Sequence, residues 1–293
     1  MRSLHFVPGA ALLLGVLGHG GVYNYSIGDV SYAGSYPWLL EDQQAKGIQR
    51  RWWGDPIQSV NHPYLSCNRG NPLAKSHPSQ HAPIQAGTNI TAYYIPPACP
   101  PNFNQPTGNL YPDEFQDPPT PMRCMGPEYS WVHSTGPLLA YMANCNGPCE
   151  DFAPEGKKVW FKIYETGLKN GGLYNEWGTI IDVASSDGWD QFRFANNGWS
   201  ITIPKNLKPG NYLIRHEIIM IELMPPQFYP ECAHLTVTGD GDKVPGDEYL
   251  VSFPGAYSLD EPGLALSGDL YSQKGHSTYN YTIPGPPVWT GED

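Results

Sequence analysis

Basic residues are scarce in this chain: 17 Lys and Arg stand against 28 Asp and Glu, a formal charge of −11. A surface that negative repels phosphate backbones and anionic headgroups, so neither nucleic acid nor a membrane surface is expected as a partner. Long apolar runs are missing as well. Beyond the first 18 residues nothing approaches the roughly 20 apolar residues that cross a bilayer as a helix. No segment carries a long apolar stripe at the 3.6-residue repeat of an amphipathic helix. There is no internal repeat and no low-complexity tail, and the 32 Gly and 31 Pro are scattered instead of gathered in a linker. These absences leave a single β-rich domain as the expectation.

The chain opens with Arg2 and a mostly apolar run from Phe6 to Leu17, with the small residues Val16 and Gly18 ahead of His19. This pattern predicts a secretory signal peptide over residues 1–18 and an extracellular mature protein that begins at His19. Removing 18 of 293 residues leaves 275, and the loss of Arg2 moves the formal charge to −12. Six cysteines, an even number in a secreted chain, predict three disulfides, although the count alone leaves fifteen connectivities open. Asn24-Tyr-Ser26, Asn89-Ile-Thr91 and Asn280-Tyr-Thr282 are glycosylation sequons.

What is abundant points to strands. The chain has 19 Tyr and 9 Trp, and Lys158–Tyr164 alternates so that Val159, Phe161 and Ile163 share one face. Strands are also predicted at Ile84–Ile95, Gly136–Ala143, Trp199–Ile203, Gly210–Ile221 and Ala233–Thr238, with a turn at Lys208-Pro-Gly-Asn211. The polar, proline-dense segment Pro96–Pro127 contains Cys99 and Cys124 and reads as a long ordered loop. Spaced strands with long connections predict an all-β sandwich.

Among nine histidines, His19 stands apart because processing would make it the N-terminus. A terminal histidine offers the α-amine and the ring Nδ1 from one residue, and one further imidazole completes a three-nitrogen plane suited to Cu(II). The others carry less. His62, His77, His81, His234 and His276 stand in no recognisable ligand context, and His77 and His81 sit among prolines and serines, where no zinc site is expected. Cys145-Asn-Gly-Pro-Cys149 has no second such pair and reads as structural. Asp240 and Asp242 fall in a Gly-rich turn and read as surface solvation instead of a glycosidase pair.

Three segments, taken together, are specific. His133-Ser-Thr-Gly136-Pro-Leu-Leu-Ala-Tyr141-Met-Ala-Asn-Cys145, Arg215-His216-Glu217-Ile218-Ile219 and Gln227-Phe228-Tyr229-Pro230-Glu231-Cys232 resemble, in this order, segments of the fungal lytic polysaccharide monooxygenases of auxiliary activity family 9, once filed as glycoside hydrolase family 61. The resemblance continues through His19-Gly-Gly-Val22, Trp160-Phe-Lys-Ile163, Trp199-Ser-Ile-Thr-Ile-Pro204, Pro209-Gly-Asn-Tyr212 and Ile283-Pro-Gly-Pro-Pro-Val-Trp289. It departs from the family at one extra residue between His133 and Gly136, and at residues 223–226, where Leu-Met-Pro-Pro replaces a longer glycine-containing loop.

The resemblance implies an immunoglobulin-like or fibronectin III-like β-sandwich spanning residues 19–293, with long loops forming a flat substrate face and no separate carbohydrate-binding module. It implies one copper per chain, held by His19, His133 and an axial Tyr229, with His216 and Gln227 placed to donate hydrogen bonds on the oxygen side. The implied reaction is oxidative cleavage of β-1,4-glucan, cellulose or a related hemicellulose, at C1 and/or C4. O2 or H2O2 serves as co-substrate, and an external donor such as cellobiose dehydrogenase or a small phenolic reductant supplies electrons to a monomeric enzyme. Tyr32, Tyr36 and Tyr271 are candidates for stacking on sugar rings. The family pairing implies Cys67–Cys232 and Cys145–Cys149, leaving Cys99–Cys124. The rival expectations are a non-catalytic carbohydrate- or copper-binding sandwich and a hydrolase working without metal or reductant.

Overall fold

A computed structural model of the chain describes residues 20–39, 44–68, 76–101, 124–128, 131, 133–169, 188–194, 197–222, 224–265 and 281–292. In chain order its strands are β1 (Asn24–Ile27), β2 (Val30–Ala33), β3 (Ala82–Gln85), β4 (Asn89–Tyr93), β5 (Leu138–Asn144), β6 (Trp160–Thr166), β7 (Leu168–Lys169), β8 (Gly188–Trp189), β9 (Trp199–Thr202), β10 (Gly210–Met220), β11 (Gln227–Thr238) and β12 (Leu250–Val251). One short helix, α1 (Asp190–Phe194), follows β8. A four-stranded sheet, β2-β1-β4-β9, faces a six-stranded sheet, β12-β6-β5-β10-β11-β3. All of their pairings are antiparallel except that of β3 with β11.

Period-two alternation builds the sandwich interior. Tyr25, Ile90, Ala92, Trp199 and Ile201 of the small sheet are buried with Ala140, Met142, Ile214, Ile218, Tyr229, Ala233 and Leu235 of the large one. The long strands β10 and β11 are nearly continuously buried because loops cover their other face too. There Leu139, Tyr141, Leu213, Ile219 and Phe228 pack with Ile57, Leu65, Phe253 and Tyr257. That outer layer holds a charged pair. Arg215 and Glu217, both fully buried, pair through the two guanidinium nitrogens, and Arg215 also donates to the carbonyls of Leu65 and Ser66.

Most predicted strands appear within two residues of the expected bounds, and two differ by more. The predicted strand Ile84–Ile95 is two strands in different sheets, because the chain turns at Gly87, whose φ of +86° favours glycine. The predicted strand Ala233–Thr238 begins six residues earlier, at Gln227, where Pro230 and the cysteine obscure the alternation. All three disulfides form as the family pairing implied: Cys67–Cys232, Cys99–Cys124 and Cys145–Cys149. Most of the predicted loop Pro96–Pro127 lies outside the described residues.

Candidate functional site

The site lies where β10 ends, β11 begins and the chain runs into β5. Residues 135–137 are bound to the end of β10 by two backbone bonds, Ile219 N–H to Pro137 O and Ile221 N–H to Thr135 O, each 3.1 Å. Gly136 is required in this close approach, since a Cβ there would meet the Ile219 carbonyl oxygen at 1.8 Å. The approach carries His133 to the end of β10, beside Glu222. One carboxylate oxygen of Glu222 accepts from the Ser134 N–H (2.5 Å), the Ser134 hydroxyl (3.0 Å) and the Thr135 N–H (3.1 Å). The other lies 3.2 Å from His133 Nδ1. Burial works to raise the Glu222 pKa, but the bonds from His133 and Ser134 outweigh it and hold the carboxyl below its ordinary value.

On its opposite edge the His133 ring meets Tyr229. His133 Nε2 lies 3.0 Å from the Tyr229 hydroxyl, which is 2.7 Å from Gln227 Oε1. Gln227 and Tyr229 are alternate residues of β11, so their side chains leave the same face. Trp131 closes the back. Its indole meets His133 and Tyr229 edge to face, with ring centroids 5.5 and 5.0 Å apart.

The first described residues come to the same place. A Cβ on Gly20 would lie 3.7 Å from the Trp131 ring, and Val22 N–H donates 2.8 Å to the buried carboxyl of Glu231, two residues beyond Tyr229. Burial pushes the Glu231 pKa well up, against the Val22 bond and the Arg215 charge. His19 itself lies outside the described residues, but its neighbour Gly20 stands against the indole that touches both His133 and Tyr229. An imidazole nitrogen and a phenol oxygen facing one another over an apolar indole form a donor set that fits Cu(II) with a weak axial oxygen.

Trp131, Glu222 and Glu231 were missed in reading the sequence. Trp131 had a signal, since it stands two residues before His133 and an extended chain turns both side chains the same way. Glu222 and Glu231 had none, because nothing local marks a carboxylate that acts on a residue far away in the chain.

His216 is a correction. It was expected to donate a hydrogen bond on the oxygen side, but it pairs with Glu231 in the β10–β11 register while Tyr229 pairs with Ile218. Two residues deeper along the strand is about 7 Å farther into the sandwich. There the ring is fully buried between Tyr25 and Trp199, makes no hydrogen bond among the described residues, and has its pKa lowered to about 3 by burial.

The candidate stacking residues separate. Tyr36 lies parallel to Trp38 at 5.5 Å, in a group with Tyr23 and Trp52 that reaches the Gly20 segment. Tyr32 instead packs, partly buried, on the sandwich core from β2, and Tyr271 lies outside the described residues. Of the sequon asparagines, Asn89 is exposed and accepts from Thr202, Asn24 is partly buried and accepts from Ser31, and Asn280 lies outside the described residues.

Among the described residues, one group of His, Cys, Asp or Glu brings three ligand atoms within 4.8 Å of one another: His81, Glu150 and His234. The sequence offered no ligand context for these histidines, and the fold brings them together with their nitrogens already engaged. His81 Nε2 accepts from the Cys149 N–H (3.1 Å), and His234 Nε2 accepts from the Arg50 guanidinium (3.0 Å). A neutral His234 therefore carries its proton on Nδ1 and has no lone pair left, and the Arg50 charge opposes a cation. The group fastens the Cys145–Cys149 loop instead of presenting a metal site.

Compared with known proteins, residues 19–281 match the model of Auxiliary Activity family 9 (formerly GH61). The chain belongs to that family. It is 37% identical over 279 residues to AA9 family lytic polysaccharide monooxygenase B of Heterobasidion irregulare, covering 94% of this chain and 93% of the relative. To AA9 family lytic polysaccharide monooxygenase D of Thermothelomyces thermophilus it is 31% identical, covering 96% and 92%. Among solved structures it is similar to a crystal structure of HiLPMO9B (TM-score 0.67, 34% identity, 93% of this chain and 100% of that one). It is also similar to a cellulose-active polysaccharide monooxygenase from M. thermophila (TM-score 0.66, 28% identity, 93% and 99%). The chain is thus a lytic polysaccharide monooxygenase, an oxidoreductase of a copper-dependent family, and its β-sandwich is that of the family's structures.

Proposed function

We propose that this monooxygenase cleaves β-1,4-glucan chains, cellulose or a related hemicellulose, by hydroxylating C1 and/or C4 with one copper that His19, His133 and Tyr229 would hold. The observation that carries this reading is the meeting of His133 Nε2 and the Tyr229 hydroxyl beside the Trp131 indole, against which Gly20 stands. Removal of residues 1–18 on secretion would free the His19 α-amine, giving the terminal residue two nitrogens to add to His133. When bound, copper supplies the one-electron chemistry by which a carbon–hydrogen bond is oxidised, with O2, two electrons and two protons, or H2O2 alone, yielding the hydroxylated carbon and water. An external donor supplies the electrons that the O2 route consumes. The hydroxylated carbon then expels its glycosidic oxygen, and the chain breaks without a pair of acid–base carboxylates.

The protein's own residues define the surroundings of that chemistry. His133 would give the metal a nitrogen and Tyr229 a weak oxygen, and Gln227 accepts from the phenol at 2.7 Å, orients it and would offer its NH2 as a hydrogen bond on the oxygen side. Trp131 excludes water from behind the imidazole. Tyr36, stacked on Trp38, is the candidate for contact with a flat sugar face. One domain, residues 19–293, carries this activity as a secreted monomer. Electron paramagnetic resonance of the copper-loaded mature protein, followed by mass spectrometry of products from cellulose with a reductant, tests it. A tetragonal nitrogen-rich copper signal and oxidised oligosaccharides are expected. Unoxidised sugars released without copper or reductant would overturn it.

A further inference from the structure

We infer that Glu222 is the positioning residue that fixes the tautomer of His133, directing its Nε2 lone pair to the position where the site takes its metal. The inference rests on the copper reading for its consequence, but not for its geometry. The two carboxylate oxygens are divided: Oε1 receives the Ser134 N–H, the Ser134 hydroxyl and the Thr135 N–H, while Oε2 is turned to His133 Nδ1 at 3.2 Å. Holding the turn alone would need only the first oxygen. An ionised carboxylate can only accept, so the second contact requires a proton on Nδ1. A neutral imidazole has a single ring N–H, and with it on Nδ1 the lone pair stands on Nε2, converging at 3.0 Å with the oxygen of Tyr229, whose own proton is donated to Gln227 Oε1. The opposite tautomer would set the Nδ1 lone pair against a carboxylate oxygen and point an N–H where a metal ligand is needed. The edge of Trp131 holds the ring plane, and Gly136 holds the backbone that carries it.

This deepens the site in a region where the chain departs from its family's pattern. Glu222 immediately precedes the short Leu-Met-Pro-Pro connection at residues 223–226, and no neighbouring residue announces its role. Carboxylate–histidine pairs behind a metal fix ring orientation and raise ligand basicity, and losing such a partner typically costs about 10- to 100-fold in metal affinity.

The test uses Glu222→Gln. The amide oxygen keeps the bonds to Ser134 and Thr135, while its NH2 takes the place of Oε2 and donates to His133 Nδ1, which reverses the tautomer. In the metal-free mature protein, long-range 15N–1H spectra of labelled histidine, assigned with His133→Gln, are expected to show Nδ1–H in the wild type and Nε2–H in Glu222→Gln. Copper affinity by calorimetry is expected to fall about 10- to 100-fold in the variant. An Nε2–H tautomer in the wild type overturns the inference, and this measurement decides it even if the variant fails to fold. So does an unmoved tautomer in a folded Glu222→Gln, or a moved tautomer with unchanged affinity while His133→Ala loses copper. If the tautomer moves but neither variant loses copper, the positioning role stands and the copper reading at His133 fails.

Discussion

Among the described residues two places set histidine beside glutamate, and the proposed copper site uses one of them. At the end of β10, Glu222 faces Nδ1 of His133 and the ring's other nitrogen meets the phenol oxygen of Tyr229. Beside β3 and β11, His81 and His234 lie near Glu150, but a backbone N–H and a guanidinium already occupy their Nε2 atoms. The difference teaches that residue type and proximity do not make a ligand set. What decides is which lone pairs remain after the fold has satisfied its own donors, and whether a fixed cation stands nearby.

The largest effects should separate the two clusters outright. His133→Ala is expected to abolish tight copper binding and oxidative cleavage, and a form carrying one extra residue before His19 should fail likewise, because its α-amine becomes an amide. His81→Ala should leave copper affinity within about twofold, since a single ring nitrogen there serves the loop and not the metal. Calorimetry and product mass spectrometry on the same preparations check this, and equal copper loss in His81→Ala would erase the distinction.

Cys67–Cys232 lies on β11 between the clusters and closes a sequence separation of 165 residues. Replacing both cysteines by serine is expected to destabilise the fold by about 4 to 5 kcal/mol in the loop-entropy account, against about 2 for Cys145–Cys149, which spans four residues. Denaturant unfolding gives the ranking, and a reversed order would sink it.

Within the candidate site, Gln227→Ala should keep copper bound and lower turnover by about 10²-fold, the cost of one oriented donor. Loss of copper as complete as in His133→Ala would place Gln227 among the ligands. Tyr229→Phe should change copper affinity less than His133→Ala does, because an axial phenol contributes weakly.

The smallest effects are in pH. Burial, with the Arg50 charge added, lowers the His234 pKa to about 2, and burial lowers that of His216 to about 3. In the unfolded chain each ring binds a proton below its ordinary pKa of about 6.5, and in the fold it does not, so each stabilises fully above that value. As pH falls from about 6.5 toward 3, each removes up to about 1.4 kcal/mol of stability per pH unit. His216→Leu is expected to flatten the slope by one proton and leave copper affinity unchanged. His234→Leu should flatten it similarly while costing about 1 to 3 kcal/mol at neutral pH, because the Arg50 bond is left unmade. A slope unchanged by either substitution would contradict the buried neutral state.

Much of this was legible before the fold. The alternation of Trp160–Ile163 and Trp199–Ile203, the even cysteine count and the segments around His133 and Gln227-Phe228-Tyr229 each follow from local chemistry or from the family resemblance. A strand's period fixes which side chains share a face, so Gln227 and Tyr229 could be paired from sequence. That period does not fix depth. His216 shares the inward face with Tyr229, and only the register, Ile218 against Tyr229 and His216 against Glu231, sends its ring into the core. Nor does it fix partners across the sandwich. Glu222 reaches His133, Glu231 reaches Val22 and Arg50 reaches His234 over separations no local pattern encodes. The sequence by itself determined the β-sandwich and the chemistry class, because the first depends on periodicity and residue type and the second is carried by the segments that resemble the family's. The tertiary structure alone decided which nitrogen of each histidine faces a carboxylate, a phenol or a guanidinium, because that depends on which donors and acceptors distant segments bring within about 3 Å of it.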